Sequence, residues 1–151
     1  ERGWGDRWTH FTQDEQIALM TLWCLFRSPL MVGAELNDND EFTLNLLTND
    51  EVLALLSESR NARQVYREER YNYAGEVIVW QAENEQGETY CAVFNCGPKA
   101  RKLAVQLSSA LGLEGAYTGR DLWAHEEIPV GRALEVEVPS HGARLVKLTK
   151  K

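Results

Sequence analysis

Residues 12–33 read TQDEQIALMTLWCLFRSPLMVG, and their reading decides how the first part of the chain is built. Thr12 followed by Glu15 is a capping box, in which hydroxyl and carboxylate satisfy free amides at a helix N-terminus. The spacing predicts a helix from about Gln13 to Arg27. Ile17, Met20 and Cys24 are apolar, and so are Leu19, Trp23 and Phe26 around the same side. So wide a stripe is expected to pack against a sheet and against neighbouring helices. Ser28-Pro29 ends the helix, because proline has no amide to donate and disfavours helical geometry in the residue before it. Leu30-Met31-Val32-Gly33 is then a short apolar run, the pattern of a buried parallel strand. Helix followed by buried strand is a piece of an α/β layer. One strand makes no sheet, so the segment reads as the end of something larger.

Further along, Asn37 to Asp40 is a polar loop, and a short helix is expected over Asp40 to Leu47. Thr48-Asn49-Asp50-Glu51 supplies cap residues for another helix running through Leu56. From about Ala62 the period changes to that of strands. Strands are expected at 63–68, 76–82, 89–95, 102–107, 116–124, 134–138 and 144–148. Asn84-Glu85-Gln86-Gly87 is a hairpin turn between two of them. Leu134, Val136 and Val138 alternate with Glu135 and Glu137, a half-buried strand. Short consecutive strands, mostly with one polar face, indicate a two-sheet antiparallel sandwich of Greek-key type. The expected fold is therefore an α/β barrel remnant over residues 1–60, contributing last helices and a final strand, then an all-β sandwich over residues 61–151.

Composition narrows the partners. A net charge of −7 over 151 residues repels a phosphate backbone, which argues against nucleic acid. The longest apolar stretch, Ile17 to Phe26, contains a threonine and ends at Arg27, short of the roughly 18 residues that span a bilayer. No membrane partner is expected. The opening Glu1-Arg2-Gly3-Trp4, without a methionine or a signal peptide, reads as mid-sequence. Three cysteines are too few for a disulfide framework, which favours a cytoplasmic setting. Cys24 reads as a small buried hydrophobe, and Cys91 and Cys96 are expected to point to opposite faces.

Chemistry-bearing patterns are sparse. His10, His125 and His141 are isolated, with no metal-ligand spacing, and no phosphate-binding or nucleotide-binding glycine motif occurs. Glycoside hydrolysis needs two carboxyl groups held a few ångströms apart. Glu35 and Asp38 are the best local candidates, because they follow the expected strand Leu30–Gly33, and βα-barrel active sites form at the C-terminal ends of strands. Their plainer reading is solvated loop residues. Asp6 with Trp4 and Trp8 is a candidate sugar platform, set against ordinary packing of a terminus. Trp123, in Arg120-Asp121-Leu122-Trp123-Ala124-His125, is read as core, with sugar stacking as the alternative.

Four segments, in order, resemble the α-galactosidase / α-N-acetylgalactosaminidase family of glycoside hydrolases. Phe11 to Gly33 is similar to the last full barrel helix and the eighth strand, and Leu47 to Ala54 to the helix closing the barrel. Arg120 to His125 is similar to the RDLW strand of the C-terminal domain, and Val138 to Leu148 to its closing hairpin. The resemblance implies retaining hydrolysis of terminal α-galactosides by two aspartates, a nucleophile and an acid/base, both upstream of Glu1. No residue of this chain matches either motif, so no catalytic, cofactor-binding or metal-binding residue is assigned and no cofactor is implied. After Glu51-Val52-Leu53-Ala54 the chain continues Leu55-Leu56-Ser57-Glu58 where the family commonly has Asn-Gln-Asp, which widens the implied substrates to related α-glycosides. The implied partners are the parent enzyme's carbohydrate substrate and further copies of the chain, associating through exposed barrel surface. The alternative is a non-catalytic sandwich that binds carbohydrate or serves as a structural module. An exposed row of aromatics would mark the binding module, whereas Trp80 and Phe94 read as core.

Overall fold

The computed structural model describes residues 9–33, 36–68 and 77–151. Trp4, Asp6, Trp8, Glu35 and the Glu76 start of an expected strand lie outside the described residues. Helix α1 spans Gln13–Leu25 and begins with the expected capping box. Thr12 N donates to Glu15 Oε2 at 2.7 Å, and Glu15 N donates to Thr12 Oγ1 at 3.3 Å. The helix stops two residues short of Arg27, with Phe26 as its cap and Arg27 in a left-handed conformation (φ 53°). The turn before Pro29 is thus made by Arg27, whose Nε donates to Leu56 O at 3.0 Å.

The expected strand at Leu30–Gly33 is not formed. Residues 28–33 take no regular structure, and Met31 is 87% exposed. A strand exists only through ladder bonds to a neighbour, and no described strand runs beside this segment. Helix α2 (Glu41–Thr48) is capped by Asp40, which accepts from Thr43 N at 2.8 Å. The single helix expected through Leu56 is instead two short ones, α3 (Asp50–Leu53) and α4 (Leu55–Glu58), meeting at Ala54.

The strands follow the sequence pattern closely. β1 is Arg60–Arg67, β2 Val77–Glu83, β3 Thr89–Asn95 and β4 Arg101–Gln106. Leu107, expected to close β4, opens helix α5 (Leu107–Leu111), which ends at Gly112 with φ 68°. β5 (Tyr117–Asp121) is shorter than expected, and the short strand β6 (Glu126–Ile128) is not foreshadowed by the sequence pattern. β7 (Ala133–Val138) and β8 (Ala143–Lys150) complete the order. At the β2–β3 hairpin, Asn84 Oδ1 accepts from Gln86 N at 3.1 Å and Glu88 N at 2.9 Å, and Gly87 takes the positive φ that the turn needs.

Among the described residues, two antiparallel sheets form. One has six strands in the order β1-β2-β3-β8-β5-β6, and the other pairs β4 with β7. The molecule is mostly antiparallel sheet in sandwich arrangement, with few helices. Unlike the half-polar strands expected of most of the sandwich, β3 has no polar face and is buried at every position. Tyr90, Ala92 and Phe94 join a core with Cys24, Leu25 and Leu55 of the helices. Cys91 and Val93 point the other way, into a core with Val105 and Leu134 of the small sheet. Both faces of the large sheet are covered at β3, so this central strand is apolar between its two polar ends, Thr89 and Asn95.

Leu145 lies on β8, fully buried under the helices. Leu145→Ala is expected to cost about 2–5 kcal/mol, seen as a lower denaturant midpoint at unchanged slope. A loss below about 1 kcal/mol would show that this face is loosely packed.

Candidate functional site

Among the described residues, the turn from β5 to β6 carries most of the side-chain hydrogen bonds between the helices and the large sheet. Arg120, at the end of β5, makes a two-pronged pair with Glu51 of α3: Nε to Oε2 at 2.6 Å and Nη2 to Oε1 at 2.7 Å. Asp121 turns the chain, its Oδ1 accepting from Trp123 N at 3.0 Å and Ala124 N at 3.1 Å. Leu122 fills the helix-side core, and its carbonyl accepts from Asn49 Nδ2 at 2.8 Å. The same Asn49 caps α3 by accepting from Val52 N. Trp123 donates from Nε1 to Thr21 Oγ1 at 2.8 Å, and that hydroxyl donates to Ile17 O at 2.7 Å. His125 Nδ1 lies 2.7 Å from Glu51 Oε1. His125 has φ 58°, an uncommon conformation for a residue with a side chain.

A cleft of about 600 Å³ opens where these elements meet. Its lining includes Ile17 of α1, Phe42 and Asn45 of α2, Asp50 of α3, and Trp123 and His125 of the turn. Beside it, the Arg120 guanidinium bonded to Glu51 holds that carboxyl well below its ordinary 4.5, at about 2, against an opposing effect of burial; His125 adds to the lowering. The buried thiols behave oppositely: loss of water pushes Cys24 up to about 11 and Cys91 up to about 12, which leaves both unreactive. Cys96 is exposed, so it and Cys91 do face differently. Among the described residues, no group of three or more histidine, cysteine or carboxylate side chains is placed to hold a metal ion, and no helix is long and apolar enough to cross a membrane.

Trp123 and His125, both singled out in the sequence for different reasons, come together at one cleft. Trp123 is half-buried and packs against the core while lining the cleft, so the core and ligand-facing readings both have a footing. Asp38 sits apart, exposed on a single 3₁₀ turn (Leu36–Asp38). His10 and His141 are exposed and do not line the cleft. Phe94 is buried, and Trp80 stacks edge-on with Phe26 at 4.9 Å between ring centres, so neither forms an exposed row. Sequence reasoning missed Glu51 as the partner of Arg120. No local signal pointed to the pair, because Glu51 follows Asn49-Asp50 and Arg120 precedes Asp121, so each charge reads as one of several in a polar stretch.

Residues 74–148 match the family described as the alpha galactosidase C-terminal beta sandwich domain. Alpha-galactosidase D of Emericella nidulans is 30% identical over 144 residues, an overlap of 92% of this chain. A crystal structure of a GH27 β-L-arabinopyranosidase from Geobacillus stearothermophilus is 44% identical and superposes with a TM-score of 0.86 over 99% of this chain. The chain belongs to the α-galactosidase family of glycoside hydrolases.

It spans 21% of the Emericella enzyme and 33% of the Geobacillus one. Alpha-galactosidase 2 of Arabidopsis thaliana, 25% identical over 145 residues, is covered to 35%. The sandwich match begins after the helices, so the clasp made by Arg120, Trp123 and His125 joins the α-galactosidase sandwich to the helical segment before it.

Because the folded carboxyl of Glu51 is the lowered one, its contribution to stability is complete above pH 4.5 and fades as pH falls toward 2. The pair is about a third exposed on each side, so Arg120→Ala is expected to lower stability only modestly at pH 7. The deficit should be smaller at pH 3. Denaturant midpoints of both proteins at the two pH values measure this, and an equal deficit at both would show that the ion pair is not what closes the seam.

Proposed function

We propose that this chain is the C-terminal portion of a retaining glycoside hydrolase acting on terminal α-galactosides or related glycosides. In this reading residues 1–60 end a (β/α)8 catalytic barrel, residues 61–151 form a Greek-key sandwich, and the two catalytic aspartates lie upstream. The observation that carries it is the uncovered apolar surface of the first segment. Leu19 and Trp23 of α1 and its cap residue Phe26, spaced along one stripe, are 46%, 39% and 51% exposed, and Met31 and Val32 lie beyond the end of the helix, also open to solvent. Fully burying one such side chain contributes about 1.5–3 kcal/mol, and these are half-exposed, so covering each is worth roughly 1 kcal/mol. A parallel barrel sheet supplies that cover and gives Leu30–Val32 strand neighbours. The insertion of β8 between β3 and β5 supports the Greek-key chain path.

In such a mechanism one carboxylate attacks the anomeric carbon while the other, some 5–5.5 Å away, protonates the leaving oxygen and then activates water. The Geobacillus neighbour's β-L-arabinopyranoside has the ring configuration of an α-D-galactopyranoside without its hydroxymethyl group. Both sugars therefore belong among the substrates to be tried.

The product of the complete reading frame should hydrolyse an aryl α-galactoside or aryl β-L-arabinopyranoside, and the 151-residue chain should not. Turnover by the short chain would overturn the placement of the aspartates and make Asp6, Glu35 and Asp38 the residues to mutate. Alone, the short chain should also bind a hydrophobic dye and self-associate. A compact monomer indifferent to the dye would count against a missing barrel.

A further inference from the structure

We infer that the cleft between α1, α2, α3 and the β5–β6 turn binds a pyranose ring, as a free monosaccharide or the terminal unit of a glycan. Its volume of about 600 Å³ is that of a small-molecule pocket. It lies at the seam between the helical segment and the sandwich, the kind of junction where such pockets concentrate. Its chemistry selects among ligands. Asp50 and Glu51 line it in a chain of net charge −7, so an anionic ligand such as a phosphate is repelled. Glu51 is already engaged by Arg120 and His125. The carboxylate of Asp50 and the amide of Asn45 are exposed at the cleft and, among the described residues, take part in no side-chain hydrogen bond. A carboxylate accepts from hydroxyls and an amide both donates and accepts, which suits the neighbouring hydroxyls of a sugar.

Trp123 supplies the apolar half. Its ring is large and flat, and its single polar atom is fixed on Thr21 Oγ1, a hydroxyl that is itself fully buried and bonded to Ile17 O. The indole is therefore held in place before any ligand arrives, which lowers the ordering cost of stacking a sugar on it. Ile17 and Phe42 extend the apolar lining. His125 is held by Glu51 through Nδ1, which leaves Nε2 as a further polar atom at the cleft.

The test uses the complete reading-frame product and the probes galactose, L-arabinose and their methyl glycosides. The indole N–H resonance that vanishes in Trp123→Phe identifies Trp123. On titration with sugar that resonance should move in a saturable way, and the double variant Asn45→Ala, Asp50→Asn should weaken the response at least tenfold. Both substituted side chains are exposed, and unchanged thermal unfolding of the variant checks that it remains folded. A Trp123 resonance that stays still at about 100 mM sugar, or one that moves equally in wild type and double variant, would overturn the assignment. The hydrolysis assay is independent of this resonance, so failure of the cleft and failure of the proposed enzymatic function are told apart.

Discussion

A sheet buried on both faces must find two covers, and the rest of this molecule follows from that requirement. β3 is buried at every position, and β8, its neighbour, carries Leu145 toward one core and Val146 and Leu148 toward the other. The small sheet of β4 and β7 covers one face in the usual manner of a sandwich. The other face is covered by α1 to α4, elements that precede the sandwich in the chain. The helical segment is thus half of what keeps the large sheet dry, through contacts such as Cys24, Leu25 and Leu55 against Tyr90 and Leu145.

Apolar contact alone leaves the helices free to slide on a flat face, because it is not directional. The Arg120–Glu51 pair, the Trp123–Thr21 bond and the Asn49–Leu122 bond are directional, and they meet at one turn. A guanidinium presents its donors in a fixed fork, so the two-pronged bond to Glu51 fixes orientation as well as distance. Exposed as it is, the pair contributes modest stability. Its larger effect is on orientation, exerted at the edge of the cleft that Trp123, Asn45 and Asp50 line.

The two surfaces of α1 divide the chain's functional meaning. Its inner stripe belongs to the sandwich, and its outer stripe, with the extended segment after it, is open to solvent. In the function proposed above, that outer stripe is where a barrel would sit. The sandwich would then support that barrel through a shared helix, and any ligand held in the cleft would contact the joint between the two.

Local rules made much of the architecture legible in the sequence. The capping box at Thr12 and Glu15, the Asn84–Gly87 turn, the span of β3 and the alternation of β7 were all readable, because each depends on residues a few positions apart. The break at Ala54, helix α5 and strand β6 were not readable, since short elements carry too little periodicity to stand out. The buried strand expected at Leu30–Val32 shows the other limit: its apolarity is in the sequence, but a strand is made by its neighbour. The cleft depended most on tertiary structure. Glu51 lies 69 residues from Arg120 and 74 from His125, and Trp123 lies 102 from Thr21. The sequence by itself determined the capped helix starts, the longer strands and which of their faces are apolar, because those are properties of spacing. Only the tertiary structure decided which charges meet and where a cavity remains, because both depend on the path by which the chain brings distant residues together.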